Sequence, residues 1–389
     1  MKDIAASTIL SVLALTTSLG GGVAPVSAQS TPGCIDVDRY YAIHEDIDFL
    51  ASNIATDEER SHFFGGIVRL AAHDFMDYDK DDADPMGMDG CIDWLSRANA
   101  GLSSIWNSYT PLYRLYQEKY IDITRPDFWV IAANAVILLT SVNNALDLQN
   151  TFYYGRKERN ECDGSASRLP STQNCQQVEG VFLDRMGMKW KDAVALLGAH
   201  TLGRGNREVR VVLVIIAKVN VVLKLFLNVT VLSVWAQFSG HHGTWVPTDK
   251  EAQIFDKRYY QELVGRSWSP RQASVDPPLQ DFTTGDDTSR PKMMLNTDIC
   301  LVYNLEQSFP CCTRTDLFDG SGQPHCNTNW DTQCSMYEDG NSRKEATDAV
   351  ANYLDGGDDN TNFYEAFRLA WFKATTNGLA DLRQIVESC

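Results

Sequence analysis

Residues 66–75 read Gly-Ile-Val-Arg-Leu-Ala-Ala-His-Asp-Phe and form the centre of an amphipathic pattern near the start of the chain. A capping box of the form Thr-x-x-Glu begins at Thr56 and predicts a helix that runs to about residue 76. Arg69 and His73 are four residues apart, so their side chains project side by side from such a helix. Asp74 lies about 100° further round the helix and faces elsewhere. The pattern therefore places a guanidinium and an imidazole over one spot.

The rest of the chain is patterned mainly with a helical period, and alternating strand patterns are scarce. Connections rich in Asp, Gly and Pro separate the periodic stretches, as expected for loops. We therefore predict an all-α fold. The predicted helices cover residues 39–55, 56–76, 91–106, 109–120, 127–146, 190–200, 249–265, 297–308, 343–355 and 361–376.

A second histidine stands at the end of an apolar helical stretch. Residues 192–203 read Asp-Ala-Val-Ala-Leu-Leu-Gly-Ala-His-Thr-Leu-Gly, so His200 has glycines close on both sides. Glycine lets backbone approach a large flat group, and a histidine at such a position can be a metal ligand. Taken alone, the same pattern also suits a buried structural histidine.

Composition and charge restrict the classes of partner. The chain has 389 residues, 44% of them hydrophobic, and a formal net charge of −17. That length and composition provide a sizeable core. The acidic balance disfavours binding to nucleic-acid phosphates or anionic lipid. We expect neutral or cationic partners.

The N-terminal 28 residues have the features of a secretory signal: Lys2, an apolar stretch, and Val-Ser-Ala before Gln29. We exclude them from the fold and predict a secreted or extracellular protein. All ten cysteines follow this segment, from Cys34 to Cys389, and none forms a C-x-x-C pair. In an oxidising compartment this even number predicts disulfides, although the sequence leaves the pairing open.

The two histidine segments, taken together with further motifs in the same order, resemble the plant-type haem peroxidase superfamily, with a core closest to the cytochrome c and ascorbate peroxidase branch. The resemblance extends from about residue 39 to 377. It implies one peroxidase domain, residues 29–389, whose distal half (about 39–150) and proximal half (about 176–377) sandwich the haem. The matching motifs are Arg69-x-x-x-His73, Asn99-Ala-Gly-Leu102, Thr124-Arg-Pro-Asp-Phe-Trp129, Gly198-Ala-His-Thr-Leu-Gly203, Ser239-Gly-His-His-Gly-Thr-Trp245 and Met294-Leu-Asn-Thr-Asp298.

The resemblance implies a role for each matching residue. His200 would bind the iron of haem b, and Asp298 would accept a hydrogen bond from its other ring nitrogen. His73, oriented by Asn99, would move a proton between the two oxygens of hydrogen peroxide. Arg69 would stabilise the developing negative charge, leaving an oxoferryl intermediate. A small one-electron donor would then restore the resting enzyme.

Two more positions match residues around the haem. Trp245 stands where cytochrome c and ascorbate peroxidases carry a tryptophan under the haem, although a buried tryptophan is also ordinary packing. Arg204, four residues after His200, is placed to reach a haem propionate. Ala72 replaces the Trp or Phe that relatives carry before the distal histidine, which implies a roomier distal pocket.

The resemblance also suggests two cation sites. Asp74, Gly87 and Asp89 match distal calcium ligands of the secreted branches, and hard carboxylates beside a glycine turn suit calcium. Cys91 departs from the pattern, because it replaces a serine ligand and a thiol is a poor calcium ligand. A proximal cation would use Thr201 and Asp256, on weaker grounds.

Two other functional classes remain open. One is a secreted cation- or ligand-binding protein that keeps a peroxidase scaffold without turnover, since a fold does not guarantee chemistry. The other is an enzyme that uses the histidines for a non-haem metal. The retained residue sets argue against the first, and the two histidines, about 127 residues apart with no third ligand, argue against the second.

Residues 209–237 differ from their surroundings. They are β-branched and apolar, and removing these 29 residues restores the spacing between His200 and Trp245 that the resemblance implies. Lys218, Asn220, Lys224 and Asn228 interrupt the apolar run, so a transmembrane helix of roughly 20 residues is disfavoured. A membrane-surface segment is the second alternative. We favour a retained intron and expect no stable membrane span.

Overall fold

The computed structural model is mostly helical, which confirms the all-α prediction. The predicted signal peptide, residues 1–28, lies outside the described residues, as does the middle of the unusual segment 209–237. The structure describes residues 33–162, 164–171, 174–205, 209–213, 232–236, 243–272, 280–284, 292–314 and 332–387.

The α-helices fall into an N-terminal group, α1 to α4, and a C-terminal group, α5 to α11. In chain order they are α1 (Val37–Ser52), α2 (Asp57–Phe75), α3 (Pro111–Leu115), α4 (Arg125–Thr140), α5 (Cys175–Val178), α6 (Trp190–Leu197), α7 (Arg258–Gly265), α8 (Asn296–Ile299), α9 (Leu305–Ser308), α10 (Lys344–Leu354) and α11 (Thr361–Thr376).

Short strands connect loops rather than form a core sheet. The described strands are β1 (Tyr153–Tyr154), β2 (Val209–Leu213), β3 (Leu232–Ala236), β4 (Ser269–Gln272), β5 (Gln280–Thr283), β6 (Met294–Leu295) and β7 (Arg383–Gln384). Strands β1 and β7, which are far apart in the chain, form one antiparallel pair, and β2 and β3 form another. Strands β4, β5 and β6 form a three-stranded antiparallel sheet in that order.

The N-terminal group is built around α4, whose residues are buried on nearly all sides. Helices α1 and α2 both pack against it. The predicted N-cap of α2 is present, because the Thr56 hydroxyl oxygen accepts a hydrogen bond from the Glu59 N–H at 3.2 Å. The Glu59 carboxylate accepts the Thr56 hydroxyl at 2.9 Å, so the second bond of the predicted capping box, from the Thr56 N–H, is replaced by a side-chain contact. Arg69 and His73, which are one turn apart on α2, face the same cavity.

A buried ion pair ties α4 to the following loop. The Arg156 Nη1 lies 2.7 Å from the Asp127 Oδ1, and both side chains are almost fully buried. The Gly155 N–H donates to the other Asp127 oxygen at 2.7 Å. The carboxylate is therefore neutralised and hydrogen-bonded, as burial of a charge requires.

The C-terminal group surrounds α6. Helices α10 and α11 pack against α6, which continues into the 3₁₀ turn Gly198–Thr201. This turn carries His200. The last turn of α6 therefore positions the second histidine, and α2 positions the first.

Four predicted helices are shorter or broken in the structure. The helix predicted over 127–146 corresponds to α4 and ends at Thr140, because Ser141 is extended. Residues 91–106 contain only two 3₁₀ turns, because the left-handed Gly101 and local side-chain hydrogen bonds replace helical ones. The prediction for 297–308 is interrupted where the Asn304 N–H donates to the Ser335 carbonyl. The prediction for 249–265 holds only from residue 258, since the Phe255 N–H pairs with the Thr140 carbonyl.

Disulfides link distant parts of the chain, in pairings that the sequence left open. All described cysteines are disulfide-bonded. The pairs Cys91–Cys162 and Cys175–Cys300 close loops of 71 and 125 residues, and Cys311–Cys334 closes one of 23. Cross-links of this length restrict the unfolded chain and stabilise the fold.

Within the described ranges, no single helix combines the length and the apolar composition needed to cross a bilayer. Residues Pro111–Tyr120 and Arg125–Thr140 meet those criteria only as a pair, with a bend of 120° between them.

Candidate active site

A cavity of about 460 Å³ lies between α2 and the turn that ends α6. His73 and Arg69 line one wall and His200 lines another. Most of the remaining lining is apolar, including Leu102 and Phe182. The structure thus brings together the two histidine motifs that are far apart in the sequence.

The wall formed by α2 carries a connected hydrogen-bond network. The His73 Nδ1 lies 2.9 Å from the Asn99 Oδ1, while the Asn99 Nδ2 donates to the Asp93 carbonyl at 2.9 Å. Because the Asn99 amide is oriented in this way, His73 carries its proton on Nδ1. The His73 Nε2 then accepts a hydrogen bond from the Arg69 Nε at 3.1 Å.

Burial and charge keep this histidine neutral. Burial lowers the pKa of His73 well below its usual value, and the positive charge of Arg69 lowers this pKa further. The Arg69 guanidinium is held by the carbonyls of Ala98 and Ala100, at 3.0 and 2.8 Å. Its own pKa is lowered by burial to about 10, so it stays charged at neutral pH. The pair therefore combines an unprotonated ring nitrogen with a fixed positive charge.

The opposite wall carries a histidine held by a buried carboxylate. The His200 Nδ1 lies 2.8 Å from the Asp298 Oδ1, and Asp298 is fully buried. Although burial alone would raise the pKa of Asp298, the His200 ring and several hydrogen bonds lower it below its usual value. An ionised Asp298 fixes the His200 proton on Nδ1 and leaves Nε2 for the cavity.

Trp245 and Tyr259 share the same carboxylate. The Trp245 Nε1 donates to the Asp298 Oδ2 at 2.7 Å, and its ring stacks on His200 with centroids 4.5 Å apart. The Tyr259 hydroxyl donates to the Asp298 Oδ1 at 2.8 Å. The sequence indicates Trp245 but not Tyr259, because a tyrosine in an amphipathic helix looks like ordinary packing.

Arg204 also lines the cavity, as the sequence predicted for a residue near a propionate. Its Nη1 forms ion pairs with Glu58 at 2.9 Å and Asp249 at 3.1 Å. Its Nε is buried and has no hydrogen-bond partner among the described residues. A buried donor without a partner is costly in a protein, so the geometry suits an added acceptor at this edge.

The predicted distal calcium residues are close together but are occupied by other contacts. Each Asp74 oxygen accepts a backbone N–H, from Gly90 at 2.8 Å and Cys91 at 3.0 Å. Asp89 accepts the Cys91 N–H at 3.1 Å and forms an ion pair with the Arg159 Nε at 2.9 Å. The Cys91 sulfur is in a disulfide.

The Gly87 N–H donates to the Asp77 Oδ1 at 2.8 Å, so this turn is also held by a side chain. Burial, followed by the charge of Asp89, raises the pKa of Asp77 to about 8. Across the described ranges, no three His, Cys, Asp or Glu side chains are arranged to hold a metal ion. The distal calcium remains a prediction.

The predicted proximal cation residues do contact each other. The Thr201 hydroxyl donates to the Asp256 Oδ1 at 3.2 Å, and Asp256 also accepts the Arg258 N–H at 2.9 Å. Arg258 supplies positive charge 3.9 Å from the other Asp256 oxygen. The proximal cation remains a prediction.

Comparisons with known proteins identify the family of this chain. A sequence model of the family described as Peroxidase matches residues 48–311. The chain is 26% identical over 296 residues to a protein of Emericella nidulans named cytochrome c peroxidase, mitochondrial, covering 73% of this chain and 66% of that one. It is 27% identical over 252 residues to a putative heme-binding peroxidase of Gibberella zeae, covering 62% of each.

A third relative, L-ascorbate peroxidase 3 of Arabidopsis thaliana, is 34% identical over 143 residues, which is 36% of this chain and 47% of that protein. The chain thus spans about two thirds or less of the length of these relatives. Their names confirm the predicted likeness to the cytochrome c and ascorbate peroxidase branch. Since the family match covers more than half of the sequence, this chain belongs to the peroxidase family.

Proposed function

We propose that this chain is a haem peroxidase that reduces hydrogen peroxide and oxidises a small one-electron donor. The observation that carries the proposal is the pair of histidines on opposite walls of one cavity, each held in a defined tautomer. Asn99 orients His73, and Asp298 orients His200. A purely structural histidine needs neither an unprotonated ring nitrogen facing a cavity nor an amide or carboxylate that fixes its tautomer.

The residues present fit a haem group. The cavity is largely apolar, His200 would offer Nε2 to the haem iron, and the buried Arg204 Nε lacks a partner that a propionate would supply. When bound, haem supplies the redox chemistry by which peroxide is reduced and oxidising equivalents are stored. We propose that the group is haem b, with His200 as the protein ligand to its iron.

On the distal side, His73 would act as the proton carrier. Its Nε2 is unprotonated, so it can take the proton from one peroxide oxygen and give it to the other as the O–O bond breaks. Arg69, held by two backbone carbonyls, would stabilise the negative charge that develops on the departing oxygen. Both groups are fixed in advance, so little reorganisation is needed.

On the proximal side, Asp298 would give His200 partial imidazolate character. The hydrogen bonds that Trp245 and Tyr259 donate draw negative charge away from the Asp298 carboxylate and so limit how basic it makes His200. This intact network favours turnover over a non-catalytic scaffold that binds only a ligand or cation.

We further propose that the protein is exported. The signal-like first 28 residues and the disulfides are consistent with an oxidising compartment, whereas the relatives named above are described as mitochondrial or carry no location in their names. N-terminal sequencing of protein recovered from a eukaryotic culture medium tests this. A mature chain that begins at Gln29 supports export, and a cell-retained chain beginning at Met1 contradicts it.

The haem assignment is tested with His200→Ala. Purified wild-type protein should show a Soret band and peroxide-dependent oxidation of a small phenol, and the variant should lose both. Added imidazole should restore part of the Soret intensity in a variant that is folded by circular dichroism. A folded variant that kept full Soret intensity and activity would show that His200 is not the ligand.

A further inference from the structure

A chain of buried side chains leads from the cavity wall towards the protein surface. Trp371 lines the cavity. Its Nε1 donates to the Asn134 Oδ1 at 2.9 Å, and the Asn134 Nδ2 donates to the Tyr40 hydroxyl oxygen at 3.1 Å. These three side chains are no more than 2% exposed. Two of them carry rings that lose an electron more easily than most side chains.

The outer end of this chain is a partly exposed tyrosine. The Tyr40 and Tyr41 rings meet edge to face, with centroids 5.3 Å apart. The Tyr41 hydroxyl donates to the Asp147 Oδ2 at 2.6 Å. Trp371, Asn134, Tyr40 and Tyr41 thus form a continuous series of contacts from the cavity to a phenol that is partly exposed to solvent.

The two tyrosines differ in what their hydroxyl groups contact. A phenol that loses an electron becomes a strong acid, so its oxidation is favoured where a base accepts the proton. Asp147 is such a base for Tyr41, because it accepts the Tyr41 hydroxyl. The Tyr40 oxygen instead accepts a hydrogen bond from the Asn134 amide, which cannot take up a proton there. An oxidising equivalent that leaves the cavity is therefore stabilised on Tyr41 rather than on Tyr40.

We propose that Tyr41 is a second, surface site of substrate oxidation, connected to the cavity through Tyr40, Asn134 and Trp371. This proposal rests on the proposed peroxidase function. Its substrates are phenolic donors too bulky to enter the cavity. Because Asp147 adjoins the site and the chain carries a net charge of −17, neutral or cationic donors are favoured.

Atoms and electrons balance when Tyr41 oxidises one donor phenol. One peroxide molecule, reduced in the cavity, leaves two oxidising equivalents there. Tyr41 gives one electron inward through Tyr40 and Trp371, and its phenolic proton moves to Asp147. The resulting neutral tyrosyl radical takes a hydrogen atom from the donor phenol, which leaves as a phenoxyl radical. The proton on Asp147 returns to solvent and balances one of those consumed as peroxide becomes water.

The radical site is tested on holoprotein treated with hydrogen peroxide and a nitroso spin trap, followed by peptide mass mapping. A trap adduct is expected on Tyr41 in the wild type. Tyr41→Phe should lose it, and Asp147→Asn should reduce it because the phenol remains but its proton acceptor is gone. The matched control is Tyr109→Phe, since Tyr109 is 82% exposed and should leave the Tyr41 adduct unchanged.

The route is tested with Trp371→Phe, which should lower the adduct yield at Tyr41. The substrate class is tested with tyramine coupled to dextran, compared with free tyramine. Tyr41→Phe should lose most oxidation of the conjugate, whereas Tyr109→Phe should keep it.

The outcomes separate this proposal from the peroxidase function itself. If wild-type protein oxidises free tyramine but gives no Tyr41 adduct, the surface site is refuted and the peroxidase function stands. The same conclusion follows if Tyr41→Phe oxidises the conjugate at the wild-type rate. An adduct yield that Trp371→Phe leaves unchanged overturns the route. A wild-type protein without a Soret band, or without peroxide-dependent oxidation of either donor, instead contradicts the proposed function.

Discussion

Gly65 of α2 lies directly against Gly203, the third residue after His200. A Cβ atom at Gly65 would stand 2.5 Å from the Gly203 Cα, and Gly203 has a φ of +81°. The wall that carries His73 and the wall that carries His200 therefore meet backbone to backbone at one edge of the cavity. This contact sets how closely the two histidines approach.

Gly203→Ala should disrupt that contact. A side chain in the left-handed region costs roughly 1–2 kcal/mol, and overpacking adds roughly 1–3 kcal/mol. We expect the free energy of unfolding, measured by denaturant titration, to fall by about 2–5 kcal/mol together with Soret intensity. Gly180→Ala is the matched control, because a Cβ there would meet no atom within 4 Å. Equal stability of the two variants would show that the close contact is not required.

Tyr259→Phe should change the proximal histidine without removing its ligand. The Tyr259 hydroxyl withdraws charge from Asp298, so its loss makes the carboxylate a stronger acceptor for the His200 proton. We expect a more negative reduction potential of the bound group by spectroelectrochemistry, and a loss of about 1.5–3 kcal/mol in unfolding free energy. A stability loss with no change in potential would limit Tyr259 to a structural role.

His73→Leu should slow the reaction with hydrogen peroxide by several orders of magnitude. One acid–base group contributes roughly 10²–10⁴, and His73 would serve both proton steps. Stopped-flow absorbance after mixing holoprotein with peroxide measures this rate, and an intact Soret band confirms that the cofactor is still bound. An unchanged rate would remove His73 from the mechanism.

His44 should make the protein sensitive to acid. It is 9% exposed, neither ring nitrogen has a hydrogen-bond partner within the described part of the chain, and burial lowers its pKa to about 4. A histidine whose folded pKa lies below its unfolded value of 6.5 contributes stability above pH 6.5 that is lost as the pH falls through 4. The loss is about 3 kcal/mol.

The variant His44→Phe keeps an aromatic ring beside Tyr40 and has no proton to bind. Unfolding free energies of both proteins at pH 7 and pH 4 isolate the histidine from the carboxylates that titrate in the same range. We expect the wild type to lose about 3 kcal/mol more than the variant. Equal losses in the two proteins would assign the acid sensitivity to other groups.

Much of the site could be predicted because its residues belong to local motifs. Arg69 and His73 share one helical turn, and the glycines mark His200 within its own segment. Tyr259 could not be predicted, because its function depends on how α7 packs against Asp298, which no local pattern encodes. The disulfides were predicted, but their pairing was not, for the same reason. The helix predicted at 91–106 failed because tertiary hydrogen bonds of Asn99 override local propensity.

The segment 209–237 remains the least expected part of the sequence. Its ends form the antiparallel strands β2 and β3, with Val209 opposite Ala236. Just outside them, the Gly205 N–H donates to the Gly243 carbonyl at 2.8 Å and the reverse bond is 3.2 Å. The chain on either side of the segment is therefore already held together. Without the segment, only three residues before it and five after it would connect Gly205 to Gly243.

Deleting residues 209–237 should therefore preserve the fold. The remaining connection is long enough to join two residues that already pair, and loop closure becomes cheaper as a loop shortens. The deleted segment is rich in β-branched apolar residues and has three basic but no acidic residues, a composition that favours aggregation when exposed.

We expect most transcripts to lack the codons for residues 209–237. We expect the deletion protein to be monomeric and to bind haem, whereas the full-length chain should aggregate or bind lipid vesicles. Transcript sequencing, size-exclusion chromatography and Soret absorbance measure these outcomes. If transcripts retain the segment and the full-length protein is monomeric and active, the segment is a genuine extension rather than a retained intron.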